Sequence, residues 1–313
     1  MNFQQLKSVR EAVRRNFNLT EVAKSLHTSQ PGVSRQIREL EEELGFELFE
    51  RSGKRLTGLT QPGGEVFPIV ERVLREIENL RRAGSEFAGS SAGRLVIATT
   101  HSQARYALPR TVVAFKQRFP GVELTLQQTF PDHIAELLLA GRADIGIATE
   151  AVDRYADLAA LPGYDWGHVA IVPEGHPLAG HKGEVTLADL AEYPLITYDT
   201  AFTGRRHIDE AFTLQNLAPR IVLTAMDADV IKTYVELGLG VGIVASTAVD
   251  PARDHGLAAL ENTSKLFARN TTKVALRKGV YLRGYTYDFL EIFAPHLTRE
   301  YIQQRLFEEV QAA

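Results

Sequence analysis

Residues 18–44 read NLTEVAKSLHTSQPGVSRQIRELEEEL, and the rest of the chain is understood from this stretch. It parses as two short helices with a sharp turn between them. Asn18 suits the cap of the first, because its side-chain oxygen accepts N–H groups left without partners at a helix start. Glu21, three residues on, is the expected reciprocal member of a capping-box-like pair. Val22, Ala23 and Leu26 give this helix a small apolar face. The run from His27 to Gly32 breaks the pattern, with Ser29 as the next cap and Pro31 in the first turn, where no N–H is needed. Val33, Ile37, Leu40 and Leu44 then recur at steps of four, three and four, one buried stripe. Gln30, Ser34 and Arg38 stack on another face, with Arg35 alongside. Amide and guanidinium groups there suit base edges in a major groove, where helix-turn-helix motifs insert the start of their second helix. The plainer alternative is a helical hairpin with a polar outer face.

The flanks favour the reading head. Gly45 is a helix stop, and Phe46–Arg51 alternates apolar and polar as a half-buried strand does. Ser52-Gly53 supplies a turn and Lys54-Arg55-Leu56-Thr57 returns, so Arg51, Lys54 and Arg55 gather at a hairpin tip. A winged helix-turn-helix would set such a tip over phosphates, giving orientation and salt-dependent affinity. The residues assigned to DNA are Thr28, Ser29, Gln30, Pro31, Ser34, Arg35, Arg38, Arg51 and Lys54. Upstream, residues 2–15 are expected to form a helix with Phe3, Leu6, Val9 or Arg10, and Val13 inward. Phe17 and Leu19 close the small core. Downstream, a helix from Thr60 or Gln61 carries Val66, Val70, Val73, Ile77, Leu80, Gly84 and Phe87 at alternating steps of four and three. Sustained spacing of that kind is a coiled-coil seam. It predicts a dimer helix of roughly 40 Å and a palindromic DNA target; the alternative is a helix packed on its own domain.

Composition sets the outer limits. A chain of 313 residues fits two or three domains, with 44% hydrophobic and 24% charged residues, as in ordinary globular proteins. No apolar run approaches a membrane span, and the polar N-terminus lacks a signal-peptide core, so a cytoplasmic protein is expected. The absence of cysteine excludes disulfides, thiolate metal sites and thiol nucleophiles. A net charge of −4 does not advertise nucleic-acid binding. Residues 1–60, however, hold ten Lys/Arg against eight Glu, and four of those acids (Glu39, Glu41, Glu42, Glu43) sit at the far end of the reading helix.

The layout expected is a winged helix-turn-helix over 1–59, a linker helix over 60–88, a small-residue hinge over 89–93 and an α/β domain over 94–313. In the last, buried strands alternate with helices: Leu95–Ala98, Val122–Gln128, Ala143–Ala148, Val169–Val172, Leu195–Tyr198, Ile221–Thr224 and Val241–Ala245. Thr272–Leu276 returns to the first set. This pattern predicts parallel sheets in two lobes, lobe I over about 94–162 and 268–313 and lobe II over about 163–267, with a cleft between them. Ligands of such folds sit beyond the carboxyl ends of the strands. Hydroxyls converge there: Thr99-Thr100-His101-Ser102-Gln103, Thr149, and Phe202-Thr203-Gly204 opening a helix. Helix starts add free N–H groups, a combination suited to a small anion or carboxylate.

These residues carry a family resemblance. TSQPGVSRQIRELEEELG resembles the signature of LysR-type transcriptional regulators. ATTHSQARYALP, ADIGIATE, PLITY, FTGR, DADVIKTYVELGLGVGIVAS and YDFLEIFAPHLTRE resemble one branch, the CysB/Cbl regulators of sulfur assimilation. The resemblance covers essentially the whole chain. It implies a homodimer or homotetramer acting on double-stranded DNA and RNA polymerase. It also implies a small sulfur-pathway effector (acetylserine, sulfate or thiosulfate, or adenosine phosphosulfate) rather than a cofactor. Carried over by motif, the effector contacts fall on Thr100, Ser102, Gln103, Thr149 and Thr203. Where Ser102 stands the branch usually has threonine, so a methyl group is lost. NFQQLK and NLTEVA lean towards Cbl; YALP, AVDP and FAPHLTR lean towards CysB, and a Cbl-type sulfate-starvation or alkanesulfonate role is the alternative.

Catalytic patterns fare poorly. Gly238-Leu-Gly-Val-Gly242 enters a strand where a dinucleotide loop would leave one, and no nucleophile elbow, Walker loop or HExxH occurs. His176 and His181 lack ligand spacing. Lys232 and Asp229 on one helix read as a local ion pair or an effector contact. The sequence predicts a regulator, not an enzyme, and a free-standing solute receptor would leave residues 1–87 unexplained.

Overall fold

A computed structural model describes residues 1–53, 55–87, 93–181 and 183–307. The chain divides into two compact units, Met1–Ala88 and Gly89–Ala313. The expected hinge lies, apart from Gly93, outside the described residues, as does Lys54.

In the first unit α1 (Phe3–Arg14) starts with a complete capping box between Asn2 and Gln5. Leu6, Val9 and Ala12 are its buried face; Phe3, expected inside, is exposed. The inward stripe begins one turn later because Asn2 at the cap leaves Phe3 at the solvated helix start. α2 (Leu19–Ser25) is capped by Asn18, which accepts from the Thr20 and Glu21 N–H groups. Glu21 turns to Lys24 at 2.8 Å instead of closing the expected box. α3 (Gln30–Leu44) is capped by Ser29 and buries Val33, Ile37 and Leu40. It ends at Gly45, whose φ of 81° is the left-handed cap that favours glycine.

The hairpin β1 (Phe49–Ser52) and β2 (Arg55–Leu59) is antiparallel. β1 starts later than alternation suggested, because Leu48 and Phe49 are both buried. Their N–H groups bond the Glu41 carboxylate at 2.9 and 3.2 Å instead of a strand partner.

α4 (Gln61–Phe87) corrects the seam. Val70 and Leu74 are buried in the first unit's own core, with Val66, Phe67 and Ile77 packed against it. Ile69, Val73 and Leu80 are exposed. A step of four from Val70 to Leu74 stays on the core face, so the residues of the expected seam divide between two faces. Arg10 and Arg14 of α1 reach Glu78 and Glu71 of α4, each at 3.2 Å.

The second unit holds two five-stranded sheets. The first contains β3 (Gly93–Thr99), β4 (Val122–Gln128), β5 (Ile145–Ala148), β6 (Leu158–Trp166) and β12 (Asn270–Arg277), in the order β4-β3-β5-β12-β6. The second contains β7 (His168–Pro173), β8 (Leu195–Tyr198), β9 (Ile221–Ala225), β10 (Val241–Ala245) and β11 (Leu257–Leu260), in the order β11-β7-β10-β8-β9. The helices are α5 (Leu108–Arg118), α6 (Pro131–Leu139), α7 (Leu187–Ala191), α8 (Thr203–Leu214), α9 (Ala228–Glu236), α10 (Gly284–Phe293) and α11 (Arg299–Phe307).

Both sheets are mixed where parallel ones were expected. β12 is antiparallel to β5 and β6, and β7 is antiparallel to β10 and β11. Parallel neighbours need a helical crossover, and the strands that pass between the lobes have none. Gly167 alone separates β6 from β7, so the first sheet keeps the chain beyond the expected limit near 162. β6 escaped the sequence reading because LAALPGYDW contains Pro162, which a sheet edge tolerates. Successive residues of β3 serve opposite faces of their sheet. Leu95 and Ile97 pack with α5 and α10 residues, Val96 and Ala98 with Ile134 and Leu138 of α6.

Candidate nucleic-acid interface and effector cavity

In the first unit Ser29 Oγ accepts the Gly32 N–H at 3.2 Å, which fixes the start of α3. Gln30, Pro31, Ser34, Arg35 and Arg38 line one open groove together with Glu39. Thr28 is exposed beside them. Arg35 Nε meets Glu39 Oε1 at 2.7 Å with 81% of its side chain exposed. That guanidinium, with Gln5 second, holds the Glu39 carboxyl below its ordinary value. An exposed i,i+4 pair is weak, so Arg35 can leave this partner at little cost.

Arg51 has a structural use as well. Its Nη2 lies 2.6 Å from Oε2 of the buried Glu41, so it ties the hairpin to α3, while its side chain stays partly exposed. Arg55 remains exposed on β2. Neither the buried Glu41 nor its ties to β1 was legible in a run of five residues with four acids.

In the second unit a small cavity, about 40 Å³, is lined by Thr100, Ser102, Gln103 and Thr149 at the ends of first-sheet strands. Tyr198, Phe202, Gly204, Ala245 and Thr247 face them from the second sheet, and Trp166 closes it from the crossing strand. Four of the five expected effector residues therefore come together. The fifth, Thr203, opens α8, and its side chain lies outside the described residues. No side chain caps α8 at Phe202, so the helix start contributes its own N–H groups. None of the described residues lining the cavity carries a formal charge. Arg205 lies next in sequence, but its guanidinium is taken by the Tyr198 carbonyl at 2.7 Å and Asp209 at 2.8 Å.

Gln103 is more constrained than a free ligand contact. Its Nε2 donates to Thr272 Oγ1 at 3.0 Å, and its Oε1 accepts from Tyr164 at 2.6 Å. Trp166 Nε1 donates to the same Thr272 hydroxyl at 3.0 Å. The Tyr198 hydroxyl accepts the Ala245 N–H at 2.9 Å, and burial pushes its pKa up. Tyr198 and Ala245 end β8 and β10, so the strand-end rule would have found them; Trp166 was hidden with its strand. Behind Gly204 stands His168, fully buried, with its pKa pushed down to about 3, chiefly by burial and then by the His207 charge. A Cβ on Gly204 would lie 2.9 Å from His168 Nε2, so the glycine permits this close approach.

His176 caps a short turn by accepting the Leu178 N–H at 3.2 Å, a structural use. His101, Asp227 and Asp229 bring ligand atoms within 4.8 Å of one another. Arg105 at 3.5 Å and Lys232 at 3.8 Å already flank Asp229, a setting that opposes a further cation. Among the described residues no helix is long and apolar enough to cross a membrane.

Comparison with known proteins agrees with this division. The family model "LysR substrate binding domain" matches residues 88–298, and "Bacterial regulatory helix-turn-helix protein, lysR family" matches residues 3–64. The chain is 57% identical over 310 residues to the HTH-type transcriptional regulator SsuR of Burkholderia cenocepacia, covering 99% of this chain and 100% of that one. It is 54% identical over 312 residues to the HTH-type transcriptional regulator CysB of the same organism, covering 100% and 99%. Among solved structures, the cofactor-binding domain of the Cbl transcriptional regulator superposes with a TM-score of 0.67 at 44% identity, covering 70% of this chain and 95% of that one.

Proposed function

From a chain that belongs to the LysR-type transcriptional regulators, in the CysB/Cbl branch, we infer that it regulates sulfur-assimilation and cysteine-biosynthesis genes by sensing a small sulfur-pathway effector in the cavity of its second unit. It is a DNA-binding regulator and not an enzyme. The observation that carries the effector reading is the convergence of Thr100, Ser102, Thr149 and Thr247 with the uncapped start of α8 around a space without formal charge. Hydroxyls and helix N–H groups suit an oxyanion or carboxylate that carries its own charge. Sulfate, thiosulfate, an acetylserine and adenosine phosphosulfate share that chemistry. A Cbl-type role in sulfate starvation or alkanesulfonate use rests on the same cavity.

In the cytoplasm, α3 reads a palindromic promoter site as part of a homodimer or homotetramer that also contacts RNA polymerase. Effector and DNA are then linked through populations of the same molecule. The test is calorimetric titration of the intact chain and of Thr100→Val with each of the four effector types. We expect wild type to bind one of them and Thr100→Val to lose it while keeping operator affinity. Full binding by Thr100→Val would remove the cavity assignment, and no binding by wild type would remove the sulfur assignment.

A further inference from the structure

We propose that Tyr106 and Asp229 form a latch between the two lobes of the second unit, holding the cavity walls in the pose that an effector requires. The proposal rests on the effector reading above for its purpose and on independent contacts for its existence. Tyr106 belongs to a one-turn π-helix, Gln103–Ala107, between β3 and α5 on the first lobe. Asp229 lies in the first turn of α9 on the second. The Tyr106 hydroxyl donates to Asp229 Oδ1 at 2.6 Å, a bond spanning 123 positions of sequence. Arg105 Nε stands 3.5 Å and His101 Nε2 3.8 Å from the other carboxylate oxygen. One carboxylate of the second lobe therefore gathers three side chains of the first.

The far side of the latch is anchored. Lys232, one turn along α9 and buried, lies 3.8 Å from Asp229 Oδ1 and 5.0 Å from the centre of the Tyr106 ring. Its ammonium donates to Asp254 at 2.8 Å and to the Ala248 carbonyl at 3.0 Å, which fixes it to the loops after β10. Asp227 caps the same helix by accepting the Val230 N–H at 2.9 Å. A charge-assisted hydrogen bond at that short distance is stronger than a neutral one.

The same short segment carries Thr100, Ser102 and Gln103. Gln103 turns into the cavity wall while Tyr106, three residues on, crosses to α9. Anything that holds Thr100 and Ser102 against Gly204 and Thr247 therefore brings together the elements that the latch joins. Latch and effector stabilise one closed pose, so loss of the latch lowers the closed fraction and weakens effector binding in proportion.

The absence of cysteine allows a clean test in the full-length protein. Glu136→Cys on the first lobe and Arg206→Cys on the second, both exposed, take paired spin labels whose separation is read by double electron–electron resonance. Tyr106→Phe and Asp229→Asn are introduced singly and together. The expected result is one narrow distance population in the parent, a second, longer population in each single variant, and no further change in the double variant. Sulfate or N-acetylserine should restore the narrow population in Tyr106→Phe, with an apparent affinity about ten-fold weaker than in the parent. If the variants broaden but neither ligand restores them, the latch stands and the effector reading falls. Distances unchanged in Tyr106→Phe and Asp229→Asn, or independent effects that add in the double variant, overturn the latch.

Discussion

Glu41 offers a quantitative test of how the hairpin is held to the reading helix. Its carboxylate, 7% exposed, accepts the Leu48 and Phe49 N–H groups and the Arg51 guanidinium. Glu41→Ala leaves two buried N–H donors and one partly buried cation without that partner. Removing one member of a buried charged pair costs about 3–5 kcal/mol. A domain's whole stability is about 5–15 kcal/mol, so the first unit would lose a large part of its margin. With a urea slope of about 1–3 kcal/mol per molar, the midpoint should fall by roughly 2 M. The two units can be followed separately in the intact chain. Trp166 is the single tryptophan and lies in the second unit, whereas far-ultraviolet ellipticity reports helices of both. We expect Glu41→Ala to move an early ellipticity transition and leave the Trp166 fluorescence transition in place. Glu41→Gln, which keeps an acceptor for the backbone but loses the charge opposite Arg51, should fall between. An ellipticity profile unchanged in Glu41→Ala would refute the bracing role.

Two further outcomes follow from the second unit. Gly204→Ala places a methyl group 2.9 Å from His168 Nε2, so the start of α8 must shift; effector affinity should fall at least ten-fold by calorimetry, with circular dichroism unchanged. His168, held near a pKa of about 3 against an ordinary value near 6.5, is neutral when folded and takes up a proton when unfolded in mildly acidic solution. Its contribution is therefore complete above about pH 6.5 and is lost at about 1.4 kcal/mol per pH unit between there and about pH 3. Urea denaturation followed at Trp166 should show a shallower loss of stability on acidification in His168→Gln than in the parent.

The elements that sequence revealed most directly were those with local rules. Asn18, Ser29 and Gly45 act as caps, and β4, β8 and β10 begin and end at the residues where turn chemistry and apolar runs placed them, whereas β3, β5 and β12 start two residues away from the expected positions. The parts that escaped depend on partners distant in sequence. Glu41 is one acid among several until Leu48, Phe49 and Arg51 fold back on it. Leu74 lies outside the four-three series yet is more deeply buried than Val73 beside it, because α1 covers that face. In the cavity, hydroxyls at strand ends were visible as a pattern. The Gln103–Thr272–Trp166 bonds join positions 169 and 106 residues apart and leave no local signal.

The pairing of β6 with β12 has a consequence for the architecture of the second unit. Trp166 and Asn270 are cross-strand partners, so the chain leaves the first sheet and re-enters it at a single point. Everything between them, the second sheet with α7, α8 and α9, is an insertion into what is otherwise one long antiparallel ribbon. Insertions are tolerated where entry and exit lie side by side, because the host sheet closes with or without the guest. The first lobe is thus a host with a self-contained hydrogen-bonding scheme, and the second is a guest held by two neighbouring strands.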